Sequence, residues 1–228
     1  MIEMQDVWKT YSNGVSALNG ISVKIDKGEF VYVVGPSGAG KSTFIKLMYR
    51  EERPTQGHIF VNGFNIERLK ERKVPYLRRT MGVVFQDFKL LQSLTAAENV
   101  AYALEVIGSP ERIIRRRVKD VLEWVGLGEK SDLLPTQLSG GEQQRIAVAR
   151  ALVNNPTVII ADEPTGNLDP DTSWGIMKLF QRINDRGTTI VMATHNKEIV
   201  NTMRKRVIAV ESGQIARDER KGMYGYDD

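Results

Sequence analysis

The chain has 228 residues, 41% of them hydrophobic, enough for one large domain, or a domain with a subdomain, around its own core. It contains no cysteine, which excludes a disulfide framework and thiolate metal ligation. Thirty-two basic against twenty-eight acidic residues leave a net charge of +4, too mild for composition to point to nucleic acid. The charged opening from Met1 to Asp6 lacks the apolar run of an export signal, and no apolar stretch approaches the roughly 20 residues of a membrane span. The expectation is a chain that stays inside the cell and meets a membrane only through its surface or a partner.

In chain order, Val7 to Tyr11 and Ile21 to Ile25 alternate as half-buried strands do. Phe30 to Val34 is continuously apolar, the pattern of a strand covered on both faces of a parallel sheet. Gly57 to Ile66 predicts a hairpin turning at Asn62 and Gly63. From about Thr95 to Asn155 the period becomes helical, with Ile113, Ile114, Val118, Val121, Leu122 and Val125 on one face and Arg115, Arg116 and Arg117 opposite, as a solvated face. Val158 to Ala161 and Thr189 to Ala193 are two more buried-strand runs. The segment from Arg217 to Asp228 is polar and glycine-containing, and predicts a mobile tail. No internal repeat or linker breaks the chain.

The segment Gly35-Pro36-Ser37-Gly38-Ala39-Gly40-Lys41-Ser42, followed by Thr43, matches G-x-x-x-x-G-K-[ST] between a buried strand and a helix. Glycines there let successive N–H groups face phosphate oxygens, and the following helix adds its N-terminal partial charge. Lys41 supplies a full charge for the β and γ phosphates, and Ser42 a hydroxyl oxygen for Mg²⁺. The expected ligands are therefore ATP and Mg²⁺, within a P-loop NTPase core.

Val158 to Glu163 ends a buried strand on two adjacent carboxylates that repel each other, a pair that calls for a cation or a chemical role. Asp162 is the candidate metal ligand and Glu163 the group that orients or deprotonates the attacking water. Leu138 to Gln144 offers a serine N-cap and two glycines before another helix, a second anion cradle. One magnesium site and two cradles suggest that the second serves a nucleotide held elsewhere, for instance on another copy.

Together, Gly35 to Ser42, Leu138 to Gln144 and Val158 to Glu163 resemble the ATP-binding cassette (ABC) family in order and spacing. The resemblance covers nearly the whole chain. It implies a head-to-tail homodimer with two ATPs, each held between one copy's loop Gly35 to Thr43 and the other's Ser139 and Gly141. It also implies that Tyr11 stacks on adenine and that Gln86 senses Mg²⁺ and water. His195 would contact the γ phosphate, and Asn167 to Asp169 would cross the dimer axis. The implied fold is α/β: a mixed sheet with parallel core strands, an N-terminal antiparallel part, and a helical subdomain at 88–155 inserted between core segments 1–87 and 156–228.

Family members of this kind receive an integral membrane subunit near the glutamine, which makes Phe88, Leu90 and Leu91 candidate docking residues at the cytoplasmic face of the membrane. Lys73 to Asp87, with Ala161 to Asp169, is similar to the cell-division branch of the family, which is expected to act on cell-wall hydrolases through its membrane partner. Relatives that release lipoproteins or export macrolides share much of the pattern. A soluble cassette acting on nucleic acid is not expected, because only one cassette and no sustained heptads are present.

Overall fold

The computed structural model describes residues 1–225. Strands β1 (Ile2–Thr10) and β2 (Ser16–Ile25) pair antiparallel, burying Ile2, Met4, Val7, Ile21 and Ile25 on one side. β1 starts five residues before the alternation does. Its register shifts between Met4 and Val7 and Asp6 takes φ 46°, a bulge that puts the inward side chains out of step.

β3 (Phe30–Val34) is buried throughout and leads through a loop into α1 (Lys41–Met48). β4 (Gln56–Val61) and β5 (Phe64–Asn65) form the expected hairpin; both turn residues, Asn62 and Gly63, have positive φ, the requirement of a type I′ turn. The first sheet thus has the order β2-β1-β4-β5.

A short helix α2 (Val74–Arg78) precedes β6 (Met81–Phe85). Then come α3 (Ala96–Glu105), α4 (Glu111–Trp124) and α5 (Gly140–Leu152). α3 is opened by a capping box, in which Thr95 accepts from the Glu98 N–H and the Glu98 carboxylate accepts from the Thr95 N–H. α4 buries Val118, Val121 and Leu122, exposes Arg115 and Arg116, and leaves Arg117 half-buried.

The chain continues through β7 (Val158–Asp162), α6 (Pro170–Asp185), β8 (Thr189–Ala193), α7 (Lys197–Met203), β9 (Arg206–Glu211) and β10 (Gln214–Glu219). The second sheet has the order β10-β9-β3-β8-β7-β6, parallel from β9 to β6 with β10 antiparallel at the edge. The fold is α/β with a mixed sheet, an antiparallel sheet and seven α-helices among the described residues.

Two cores lie on opposite faces of the parallel sheet, because neighbours along each strand point to opposite sides. Val31, Val33, Ile160 and Val191 pack with α1 and the antiparallel sheet. Tyr32, Val34, Ile159, Ala161 and Met192 pack with α5 and α6, and that core extends to α3 and α4.

Two expectations are corrected. Arg217 does not begin a mobile tail: β10 runs to Glu219, and the Arg217 guanidinium donates to the carbonyls of Met223, Tyr224 and Gly225. Residues 226–228 of that expected tail lie outside the described residues. Leu90 is 8% exposed and belongs to the core, and Phe88 is half-buried against it; of the three candidate docking residues Leu91 stands out, at 40% exposure.

Candidate functional site

The loop Gly35 to Gly40 leaves the carboxyl end of β3, where β8 and β9 flank it. Glycine is required where the loop meets backbone: a Cβ on Gly35 would lie 2.1 Å from the Val210 carbonyl oxygen, and one on Gly40 2.4 Å from that of Ala17. Gly40, with φ 108°, is the N-cap of α1 and supplies no side-chain cap, and no acid stands in the first turn. The free N–H groups and the positive end of the helix dipole are left for an outside anion. Lys41 folds back over the loop and donates to the carbonyls of Gly35 and Pro36, each at 2.9 Å.

Asp162 ends β7 beside this loop and is hydrogen-bonded to Ser42. Burial, and then the charge of Glu163, push its carboxyl above the ordinary range, with Ser42, Lys46 and Lys41 only partly offsetting them. Glu163 has φ 50°, a left-handed conformation that costs a non-glycine residue about 1–3 kcal/mol and is held by a bond from its N–H to the Ala193 carbonyl. That turn aims its carboxylate at the end of β8, where Oε2 accepts from the His195 backbone N–H at 3.2 Å and lies 2.7 Å from His195 Nδ1.

Gln86 follows β6 and is exposed. Its Nε2 donates to Asn167 Oδ1 at 3.1 Å, while Asn167 Nδ2 donates to the Gln86 carbonyl at 3.2 Å. The Oε1 of Gln86 keeps its lone pairs for water or a cation. Hard oxygen donors of this kind, a hydroxyl, a carboxylate under charge stress and an amide oxygen, fit Mg²⁺ carried in largely by phosphate and water.

Tyr11 lies one residue past β1, half-buried, with its hydroxyl 3.0 Å from Thr43 Oγ1 and Lys9 Nζ 4.9 Å from its ring centre. The structure therefore brings Tyr11 and Thr43 to the same helix start as Lys41 and Ser42.

Ser139 is the N-cap of α5 in a capping box: its Oγ accepts from the Glu142 N–H, and Glu142 accepts from the Ser139 N–H. Lys130 bonded to Glu142 is the main cause that holds this carboxyl below its ordinary range. The Ser139 hydroxyl accepts there and keeps its own O–H to donate. No hydrogen bond joins Ser139 or Gly141 to residues 35–43 among the described residues. Gly141 is buried, and a Cβ on it would meet the Thr172 methyl at 2.3 Å, so α5 and α6 approach closely at this point.

Two neighbours of the site went unread in the sequence. Gln144 is wholly buried and donates from Nε2 to the Pro164 carbonyl at 2.6 Å, tying α5 to the turn after Glu163. Tyr224, far along the chain, places its hydroxyl 3.5 Å from the Gly35 carbonyl. Helical spacing flags Gln144 as an inward polar residue; no local pattern flags Tyr224.

A phosphate loop, a carboxylate corner and a capped second helix start, on this pair of sheets, define an ATP-binding cassette. The chain belongs to the ABC transporter family, whose family model matches residues 18–166. Along its whole length it is similar to the cell division ATP-binding protein FtsE of Bacillus subtilis, 66% identical with all of both chains covered. It is also 55% identical to that of Mycobacterium tuberculosis, over all of this chain and 99% of the relative. The FtsE of Escherichia coli K12 is 46% identical over 94% of this chain and 97% of that one. Among solved structures, a dimeric ATP-binding cassette in a post-hydrolysis state bound to ADP and Pi superposes with a TM-score of 0.88 at 36% identity, covering 99% of this chain and 100% of that one. A component of an ABC transporter complex from Clostridium perfringens gives 0.89 at 31% identity, covering 96% and 88%.

Proposed function

We propose that the chain is the ATP-hydrolysing subunit of a cell-division ABC complex. It sits at the cytoplasmic face of the membrane, held there by an FtsX-like integral membrane subunit, and closes as a homodimer around two Mg-ATP. The observation that carries the reading is the convergence of Lys41, Ser42, Asp162, Glu163 and His195 around one bare helix start. Among the described residues no helix is long and apolar enough to cross a membrane.

In this reading the N–H groups of Gly38 and of residues 40–43 and the Lys41 ammonium bind the β and γ phosphates, and Tyr11 stacks on adenine. The Ser42 hydroxyl, Asp162 and the Gln86 amide oxygen would hold Mg²⁺, which would supply charge neutralisation at the phosphates. Glu163 accepts a proton from water aligned for in-line attack, and His195 turns from Glu163 to the γ phosphate. Ser139 and Gly141 of a second copy complete each site from the other side. The helical segment 88–155 acts as one subdomain that carries this second cradle. ATP binding closes the pair and hydrolysis reopens it, and the membrane partner converts the movement into control of cell-wall hydrolases.

The test is to purify tagged Glu163→Gln with Mg-ATP from detergent-solubilised membranes and to identify the co-purifying proteins by mass spectrometry. A partner with few membrane spans and a large external domain is the expected result. A many-spanning permease, or a lipoprotein-release or macrolide-export subunit, would overturn the cell-division assignment. Nucleic acid or ribosomal material with no membrane protein would overturn the membrane role.

A further inference from the structure

The end of the described chain folds back on the phosphate loop. After β10, the Gly222 N–H donates to the Lys205 carbonyl at 3.1 Å and the Tyr224 N–H to Asn201 Oδ1 at 2.7 Å. Arg217 clasps the same strap from the other side, donating to the carbonyls of Met223 at 2.6 Å, Tyr224 at 3.2 Å and Gly225 at 2.6 Å. Lys197 lies 5.5 Å from the centre of the Tyr224 ring, which packs against the core. The ring is thus held with its hydroxyl 3.5 Å from the Gly35 carbonyl.

That carbonyl has a second donor, Lys41 Nζ at 2.9 Å. A lysine that moves to phosphate leaves two carbonyls behind. Pro36 keeps the Ala39 N–H at 3.2 Å, whereas half-buried Gly35 keeps only the Tyr224 hydroxyl among the described residues. A half-buried acceptor stripped of its donor opposes the move.

We propose that Tyr224 is a positioning residue for nucleotide binding: its hydroxyl, held 3.5 Å from the Gly35 carbonyl, closes onto that carbonyl when Lys41 leaves for phosphate, and so eases release of the lysine. The proposal rests on the assignment of Lys41 to the phosphates. Burial, and then the nearby charge of Glu163, raise the Tyr224 phenol above its ordinary range, with the backbone contact to Gly35 acting in the opposite direction.

Tyr224→Phe keeps the ring and removes the hydroxyl. In a Glu163→Gln background, where turnover does not disturb the titration, the Kd of a fluorescent ATP should weaken about three- to tenfold, the range of one neutral hydrogen bond, with Tm unchanged. In a chain that also carries Lys41→Ala the same substitution should leave Kd unaltered, because no lysine needs releasing. Equal weakening in both backgrounds, or none with Lys41 present, overturns the proposal. Should Lys41→Ala bind too weakly to titrate, the ¹³C shift of the Gly35 carbonyl in the ATP-saturated Lys41 chain decides: Tyr224→Phe should move it, and an unmoved resonance overturns the proposal. Undiminished ATP affinity in Lys41→Ala would instead overturn the phosphate assignment beneath it.

Discussion

His195 Nδ1 lies 2.7 Å from Glu163 Oε2, and the same oxygen accepts the backbone N–H of His195 at 3.2 Å. One residue thus holds one carboxylate oxygen by two nitrogens. The backbone bond is fixed by the end of β8, but the ring is 65% exposed and free to turn away. Release of the ring leaves Glu163 Oε2 with a lone pair free to accept from water.

Removing that charge separates binding from chemistry. Glu163→Gln should bind ATP with little change and release phosphate at least about 100-fold more slowly, the scale of a lost general base. It should also accumulate as a dimer in ATP. Phosphate release and size-exclusion chromatography check this, and wild-type turnover would refute the role of Glu163.

His195→Ala should lower kcat by about 10²–10³-fold, as loss of a transition-state donor does, while the Kd for ATP changes far less. Single-turnover kinetics with excess enzyme isolate the chemical step. A loss confined to KM would place the histidine in binding rather than chemistry.

Asp162 links the site to pH. Its folded pKa lies above the ordinary 3.8 because of burial and Glu163, so the folded chain binds this proton more tightly than the unfolded one. The group therefore withdraws stability as pH rises from about 4 through its raised folded value. Asp162→Asn should leave Tm near wild type below that window and raise it above, in the absence of nucleotide, while Mg²⁺-dependent turnover is lost. Thermal melts from pH 4 to 8 show whether the two curves diverge in that direction.

Gly82 marks where β6 meets α5. A Cβ there would lie 2.4 Å from the Ala151 carbonyl oxygen and 2.9 Å from the Ala151 Cβ, and neither backbone can yield easily. Gly82→Ala should destabilise the fold by about 1–3 kcal/mol, the range of an overpacked core, as read by urea denaturation. An unchanged midpoint would mean that α5 can move off the sheet at little cost.

Leu91→Ser should weaken co-purification with the membrane subunit and leave basal ATPase and Tm near wild type, since the side chain is exposed. Retained partner and activity together would move the docking surface elsewhere.

Two parallel strands were legible because a strand covered on both faces cannot hide its composition: β3 and β8 fall on the apolar runs themselves. The phosphate loop was legible because Gly35 and Gly40 answer to backbone contacts that only glycine survives. β1 was half-hidden by the bulge at Asp6. β9 carries the same kind of apolar run, Val207 to Val210, whereas β10 is an edge strand whose exposed Gln214, Ala216 and Asp218 alternate with half-buried Ile215 and Arg217, and its place is set by β9 rather than by its own pattern. Leu90 and Leu91 are adjacent and alike, and no pattern in the sequence separates buried Leu90 from exposed Leu91, whose N–H and carbonyl are both bonded by the Asn99 side chain. Tyr224 approaches Gly35 across 189 positions, and no window along the chain spans that.

Gln86 and Asn167 each give one amide proton to the other, through a side-chain bond in one direction and a backbone bond in the other. Two loops that leave neighbouring strands are therefore buckled like a belt. A shift of either loop away from the other must break both bonds, and a shift that keeps them carries the two loops together.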